Sequence, residues 1–276
     1  IEKVALDEDA GSFNFTLATS YVANPKAGCV NVFSGYFDSP TQTQLTFKER
    51  VSFKEYKAVK NEADSFGGDI PYEGQKKMGY GLFTYSKTVP DKFGGTSTIG
   101  TKQYLPAIFD IKDDKQIEYV LAGMPSLLVV DPREKLFDPK ELREELIKST
   151  AEVFEDLNDG FRASFKGTGF RDSEKDVIAF KLEKDETFED MIEKFEEGAD
   201  NGISKSEGTY YYKGIALAEA KEMGDLERNY VYYVEKQTNS SIIGLGGSHA
   251  NPRNGKVESA SIYLYGGNMR SMIKSF

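Results

Sequence analysis

Histidine occurs once in these 276 residues, cysteine once, and tryptophan not at all. The single cysteine, Cys29, excludes an intrachain disulfide. The single histidine, His249, excludes a histidine-rich metal cluster. It also excludes H-E-x-x-H, a zinc motif that needs two histidines one helical turn apart. Basic charge is in deficit: 35 Lys and Arg against 45 Asp and Glu, a formal net charge of -10. Such a chain repels phosphate backbones, and no local basic patch offsets this, so nucleic acid is not an expected partner. No stretch approaches the roughly 18–20 apolar residues that span a membrane. Repeats and low-complexity tracts are absent too.

What remains is ample for a folded core. Hydrophobic residues make up 39% of the chain, with 16 Tyr and 19 Phe, enough for one large or two small domains. Residues 1–130 read as a β-rich N-terminal domain. Leu45, Phe47, Val51 and Phe53 alternate with polar residues, the period of a half-buried strand. An aromatic run at 82–85 suggests another. Residues 108–111 and 117–121 flank the polar 112–116 as a hairpin would. Glycine, proline and serine clusters at 63–73 and 88–99 read as loops.

The pattern changes at Asp138. Asp138, Pro139 and Glu141 form a helix start, with Asp at the N-cap and Pro at the first helical position. Leu142, Leu146, Thr150, Val153, Leu157 and Phe161 then recur at three and four, which predicts a long helix with that face buried. Residues 177–180 read as a short buried strand, and Thr187 opens a second helix with Phe188, Met191, Ile192 and Phe195 on one face. Residues 215–223 suit a third helix, and 230–234 and 257–265 suit strands. The fold class expected is α+β: the β-rich region, then an α/β subdomain over 131–276 with a mixed sheet and a long packed helix.

Residue chemistry alone yields no active site. Cys29 and His249 fall in different expected subdomains, which argues against a catalytic pair. Ala27-Gly28-Cys29 has the residue types of a lipoprotein cleavage site, but no long apolar stretch precedes it, so Cys29 reads as a part-buried thiol. Ser248 and His249 are chain neighbours and seldom face one another. Gly244-Leu245-Gly246-Gly247 lacks the Walker lysine and the full G-x-G-x-x-G pattern, and precedes a strand. The acidic clusters at 183–186 and 193–197 read as solvated faces.

Three stretches between about Gln103 and Gly267 nevertheless share an order with a known family. Lys115-Gln116-Ile117-Glu118-Tyr119 reads K-x-I-x-Y. The helix region reads V-F-E-D-L-N-D-G-F-R-A-S-F-K-G-T-G-F, similar to W-N-x-A-F-x-x-A-G-F. Residues 244–260 are similar to G-x-S-x-x-D-P-R-T-G-E-I-x-x-A, with Ala260 on the last alanine. In these features the chain resembles the N-terminal part of a secreted bacterial zincin-type zinc metallopeptidase. The residues around 187–225 depart from that family's spacing.

The resemblance implies peptide-bond hydrolysis by the parent protein, a hydrolase of the secreted or cell-envelope compartment. Its zinc and general base would come from a helix after this region, so that this chain alone binds no zinc and is inactive. The partners implied are the C-terminal catalytic half of the same polypeptide and a peptide or protein substrate, with no membrane span. A tight turn at 251–255 would feed a strand carrying Val257, Glu258, Ser259, Ala260, Ser261 and Ile262, expected at the sheet edge against substrate. Gly246, Ser248, His249, Asn251 and Arg253 would form a loop near it. Two other readings stay open: a non-catalytic extracellular binding or scaffold protein with a degenerate peptidase-like domain, and a β-rich pro-domain or interaction module that dominates function.

Overall fold

The computed structural model describes residues 1–9, 11–22, 44–55, 84–88, 102–107, 109–111, 114–127, 138–169, 172, 174–222, 224–236, 242–251 and 255–274. Cys29, Arg253, the expected loop at 63–73 and most of that at 88–99 lie outside them. Both helices and sheets are present, and the class is α+β.

The largest unit is an eight-stranded mixed sheet. Its strands are β6 (Ile117–Ala122), β7 (Ile178–Lys184), β8 (Ile203–Ser206), β9 (Thr209–Tyr212), β10 (Ile215–Glu219), β11 (Asn229–Tyr233), β12 (Gly244–Ala250) and β13 (Val257–Leu264), in the order β12-β13-β11-β6-β7-β10-β9-β8. The five inner strands from β13 to β10 run parallel, and β12 and the β9–β8 pair add antiparallel edges. The central strand β6 comes from the N-terminal side of the division expected at 130. The α/β unit therefore begins before Ile117. Residues 109–111 form no strand, and Ile117 pairs with Ile178 in parallel, so the expected hairpin across 112–116 does not exist.

One face of this sheet is covered by α1 (Pro139–Phe165) and α2 (Glu186–Glu196). Asp138 caps α1 by accepting from the Lys140 N–H at 2.8 Å. Phe154 of α1 packs between Tyr119 of β6 and Phe180 of β7 in tilted ring contacts, with centroids 5.3 and 5.4 Å away. The helix register is a correction. The buried positions are Arg143, Ile147, Thr150, Phe154 and Asn158, with Leu146 and Phe161 partly buried against the core. Val153 and Leu157 are 56% and 46% exposed. Thr150 lies on the expected face, but Arg143 and Asn158 do not: a reading that left out these two buried polar residues drifted one position round the helix at Val153 and Leu157.

Those polar residues do structural work. The Asn158 amide accepts from the N–H groups of Val177 and Ile178 and donates to Ile178 O, and so secures the start of β7. Arg143 makes a bidentate pair with Asp185 at 2.7 and 2.9 Å, donates to Pro125 O, and lies 4.4 Å above the Phe188 ring. Asp185 in turn caps α2 by accepting from the Phe188 N–H. One guanidinium thus ties the exit of β6 to the starts of both helices.

Residues 215–219, expected as helix, are strand β10. Two-residue turns with positive φ at Glu207 and Gly208, then at Lys213 and Gly214, fold β8, β9 and β10 into a meander. Such paired left-handed positions match the twist of a hairpin. Pairing on both sides of β10 then outweighs the helix propensity of its alanines.

The N-terminal strands β1 (Glu2–Asp7), β2 (Ser12–Val22) and β3 (Gln44–Lys54) form an antiparallel sheet, and β4 (Thr84–Thr88) pairs with β5 (Lys102–Pro106). The inner face of the first sheet is polar. Ser12, Asn14 and Thr16 are buried, whereas Phe13 and Phe53 of the opposite face are 41% and 55% exposed. Arg50 pairs with Asp225 at 2.8 Å, both under a tenth exposed, and Leu226 N–H donates to Ser52 Oγ. Gly224, at φ +101°, packs under Arg50, whose Cβ would lie 3.1 Å from a side chain there. This polar contact seats the N-terminal sheet on the residues leading into β11. No helix among the described residues is long and apolar enough to cross a membrane.

Candidate functional site

The stretch singled out by sequence folds into the hairpin β12–β13. Asn251 and Lys256 close it: Asn251 N–H donates to Lys256 O at 2.7 Å, and Gly255 N–H to Asn251 O at 2.8 Å. Gly255 takes φ +77°, where a side chain would be strained. Residues 252–254 of the expected turn lie outside the described residues.

The edge assignment is a correction. β13 lies between β12 and β11, pairing with β12 from Val257 to Leu264 and with β11 from Ser261 to Leu264. Val257, Ser259 and Ala260 are buried, Val257 and Ala260 in the main core, and Glu258, Ser261 and Ile262 are partly buried. Ser261 and Ile262 pair with a strand on either side, and the Ala260 N–H is taken by Asn229 Oδ1, so β13 is not the edge of the sheet. The edge belongs to β12, and Gly246, Ser248 and His249 are strand residues on it, not a loop. Asn251 stands at the hairpin end. The glycine content of 244–247 concealed this strand, because glycine carries no period-2 signal.

The two sheet edges differ. β8 is four residues long and carries Lys205, a short charged edge that resists further pairing. β12 is seven residues long, Gly244-Leu245-Gly246-Gly247-Ser248-His249-Ala250, without charge or proline. No described strand pairs with its outer side. Its register on β13 puts Gly244, Gly246 and Ser248 opposite Leu264, Ile262 and Ala260, and Leu245, Gly247 and His249 opposite Tyr263, Ser261 and Ser259.

Both ends of the edge are held. At its start, Tyr265 N–H donates to Ile243 O at 3.0 Å and Asn268 Nδ2 to Ile242 O at 2.8 Å. Asn268 sits in α3 (Gly266–Lys274), which follows β13 directly. The Tyr233 hydroxyl lies where a Cβ at Gly266 would be, 2.0 Å away, so only glycine admits this strand-to-helix turn. Deeper in the sheet, Asn229 Oδ1 accepts from Ala260 N–H and its amide donates to Glu118 O, bridging β13 to β6.

On the face away from the helices, Tyr232, Tyr263 and Tyr265 form an aromatic row with successive centroids 6.4 Å apart. Leu245, half exposed, continues it to the edge. Burial raises the Tyr232 phenol and pushes Tyr230 up to about 12. Burial likewise raises the Glu183 carboxyl, although it accepts from the backbone N–H groups of Gly123 and Lys221. Ligands of parallel sheets commonly sit beyond the carboxyl ends of the strands. Here the Arg143–Asp185 pair lies beyond the ends of β6 and β7, and Gly123, at φ +69°, closes on Tyr233 O at the end of β11.

The described residues do not fit a zinc ion. Among the described residues no three His, Cys, Asp or Glu stand together as ligands. Helix α3 occupies the place where the resemblance expects the zinc-binding helix, and its nine residues, GGNMRSMIK, include no such side chain. No family model, no curated protein and no solved structure matches this chain.

Proposed function

We propose that this chain is the peptide-docking portion of a secreted zincin-type metallopeptidase, with the zinc ligands and general base supplied from outside it. The observation that carries the reading is that β12, an antiparallel strand without proline, Lys, Arg, Asp or Glu, has no described strand on its outer side, beside a guarded edge at β8. An extended peptide that adds a strand to such an edge gains main-chain hydrogen bonds irrespective of its sequence. The motif order from Lys115 to Ala260 supports the family, and the mixed sheet with its packed helix is compatible with it.

Hydrogen exchange with an added extended peptide tests the docking step. Amides of 244–247 should gain protection while those of β8 stay unchanged; protection at β8, or nowhere, overturns it. Metal analysis tests the division of labour. The dialysed chain should hold no stoichiometric zinc and show no chelator-sensitive proteolysis, and either result would overturn it.

One observation favours a second reading, a non-catalytic extracellular peptide-binding protein: α3 carries no ligand where a zinc helix is expected. The coding sequence downstream of Phe276 separates the two. An H-E-x-x-H within a few dozen codons supports the peptidase, and a stop codon supports the binding protein.

A further inference from the structure

An antiparallel sheet covered on one side ordinarily buries its apolar face and leaves its polar face in water. The N-terminal sheet does the reverse. Ser12, Asn14 and Thr16 of β2, with Arg50 and Ser52 of β3, form the face seated on the residues before β11. The opposite face carries Leu6 of β1, Phe13, Phe15 and Leu17 of β2, and Val51 and Phe53 of β3. Leu6 stands opposite Phe13, Phe13 opposite Phe53 and Phe15 opposite Val51. The rings of Phe13, Phe15 and Phe53 form one cluster, with centroids 5.6, 6.1 and 6.4 Å apart.

Phe13 and Phe53 together expose the area of about one whole phenylalanine, roughly 200 Å². With Leu6, 65% exposed, and the partly exposed Phe15, Leu17 and Val51, the patch has the size that marks an interaction surface. Among the described side chains of β2 and β3, this face carries one charge, Glu49, opposite Leu17. Glu49 stands about 14 Å along β3 from Phe53. Two copies of a chain with net charge -10 repel one another over most of their surface, and an anionic lipid surface repels such a chain too. The aromatic patch is a place where two copies can meet without opposing charges.

We propose that this face is the interface of a homodimer, in which the aromatic faces of two N-terminal sheets pack on one another around Phe13 and Phe53. Twisted antiparallel sheets pack face to face about 10 Å apart, with their strands within about 30° of each other. A two-fold axis through the Phe13–Phe53 cluster sets each patch on its own copy, the self-complementary arrangement of most homodimers. Glu49 of each copy then lies at the rim, in water. Two such patches, with the rim around them, reach about 1,000 Å², the scale of a specific interface. The polar inner face stays on the α/β unit, and the dimer does not depend on docking at β12.

Sedimentation velocity on the full chain, raised to about 100 µM, is the test. The wild type should reach twice the monomer mass within that range. Phe53→Glu should weaken the dimer at least about tenfold, because it sets two unpaired carboxylates in the apolar centre. Leu6→Glu, on the neighbouring strand, should do the same. Val153→Glu adds the same charge at an exposed apolar residue of α1 and should leave the dimer intact. Circular dichroism of each variant checks that it folds. Should Phe53→Glu not fold, Leu6→Glu and Phe53→Thr decide by the same criterion. A wild type that stays monomeric at about 100 µM overturns the proposal. If that monomer co-sediments with zwitterionic vesicles, the face belongs to a lipid surface instead. A dimer that survives in the folded face variants overturns the proposal, as does equal weakening by Val153→Glu.

Discussion

Arg143 joins the residues after β6 to the starts of α1 and α2. Its guanidinium is almost fully buried, paired with Asp185, and bonded to Pro125 O. Removing one partner of a buried pair strands the other, which typically costs about 3–5 kcal/mol. Asp185 keeps some solvent access, so Arg143→Ala should cost about 3 kcal/mol in urea denaturation. A loss below about 1 kcal/mol, the level of a surface ion pair, would count against this role. Glu183 makes a pH prediction. Burial raises its folded-state pKa above the unfolded value. The stability linked to its proton is present below the unfolded pKa and lost as pH rises through the folded one. Glu183→Gln keeps an acceptor for Gly123 and Lys221 N–H but removes the charge. The variant should exceed the wild type in urea midpoint at pH 7–8, with the difference closing on acidification through the ordinary glutamate range, near pH 4.

At the scale of the element, α1 provides a direct comparison of neighbours. Phe154 is 5% exposed between two aromatic rings, and Val153 is 56% exposed. Phe154→Ala should cost about 3–5 kcal/mol through the cavity it leaves. Val153→Ala should stay within about 0.5 kcal/mol. Equal costs in thermal or urea unfolding would return the helix to the register expected from apolar spacing alone. The meander β8–β9–β10 shows how much an element depends on its turns. Glu207-Gly208 and Lys213-Gly214 were visible as hairpin turns flanking Thr-Tyr-Tyr-Tyr. That signal would have marked 215–219 as a strand, against the helix-forming composition of Ile-Ala-Leu-Ala-Glu.

Across the whole molecule, two sheets meet through polar groups. Arg50 and Asp225 form the buried pair, Lys54 reaches Glu258 of β13, and Lys3 reaches Glu222. Polar contacts of this kind are usual between units that can separate. Arg50→Ala leaves Asp225 buried without its cation, a loss of about 3–5 kcal/mol by the same reasoning as for Arg143. Hydrogen exchange should then fall in protection over β1–β3 while the inner strands β6, β7 and β11 keep theirs. Loss of protection spread evenly over both sheets would show that they unfold as one unit.

The sequence by itself determined the features that depend on neighbours in the chain. The start of α1 at Asp138 and Pro139, the apolar face of α2, the strands at β3, β7, β11 and β13, and the turn at Gly255 all follow from capping, periodicity or backbone freedom within a few residues. The shortage of histidine likewise excluded an H-E-x-x-H zinc site before any coordinates were known. Only the tertiary structure decided which strand is an edge. Being an edge means lacking a partner on one side, and partners come from distant parts of the chain: β13 is enclosed by β12 and by β11, and β11 by β6. The same holds for Arg143 and Asn158. Their polarity argues for the surface, and they are buried because Asp185, Pro125, Val177 and Ile178 supply hydrogen bonds that folding alone brings within reach.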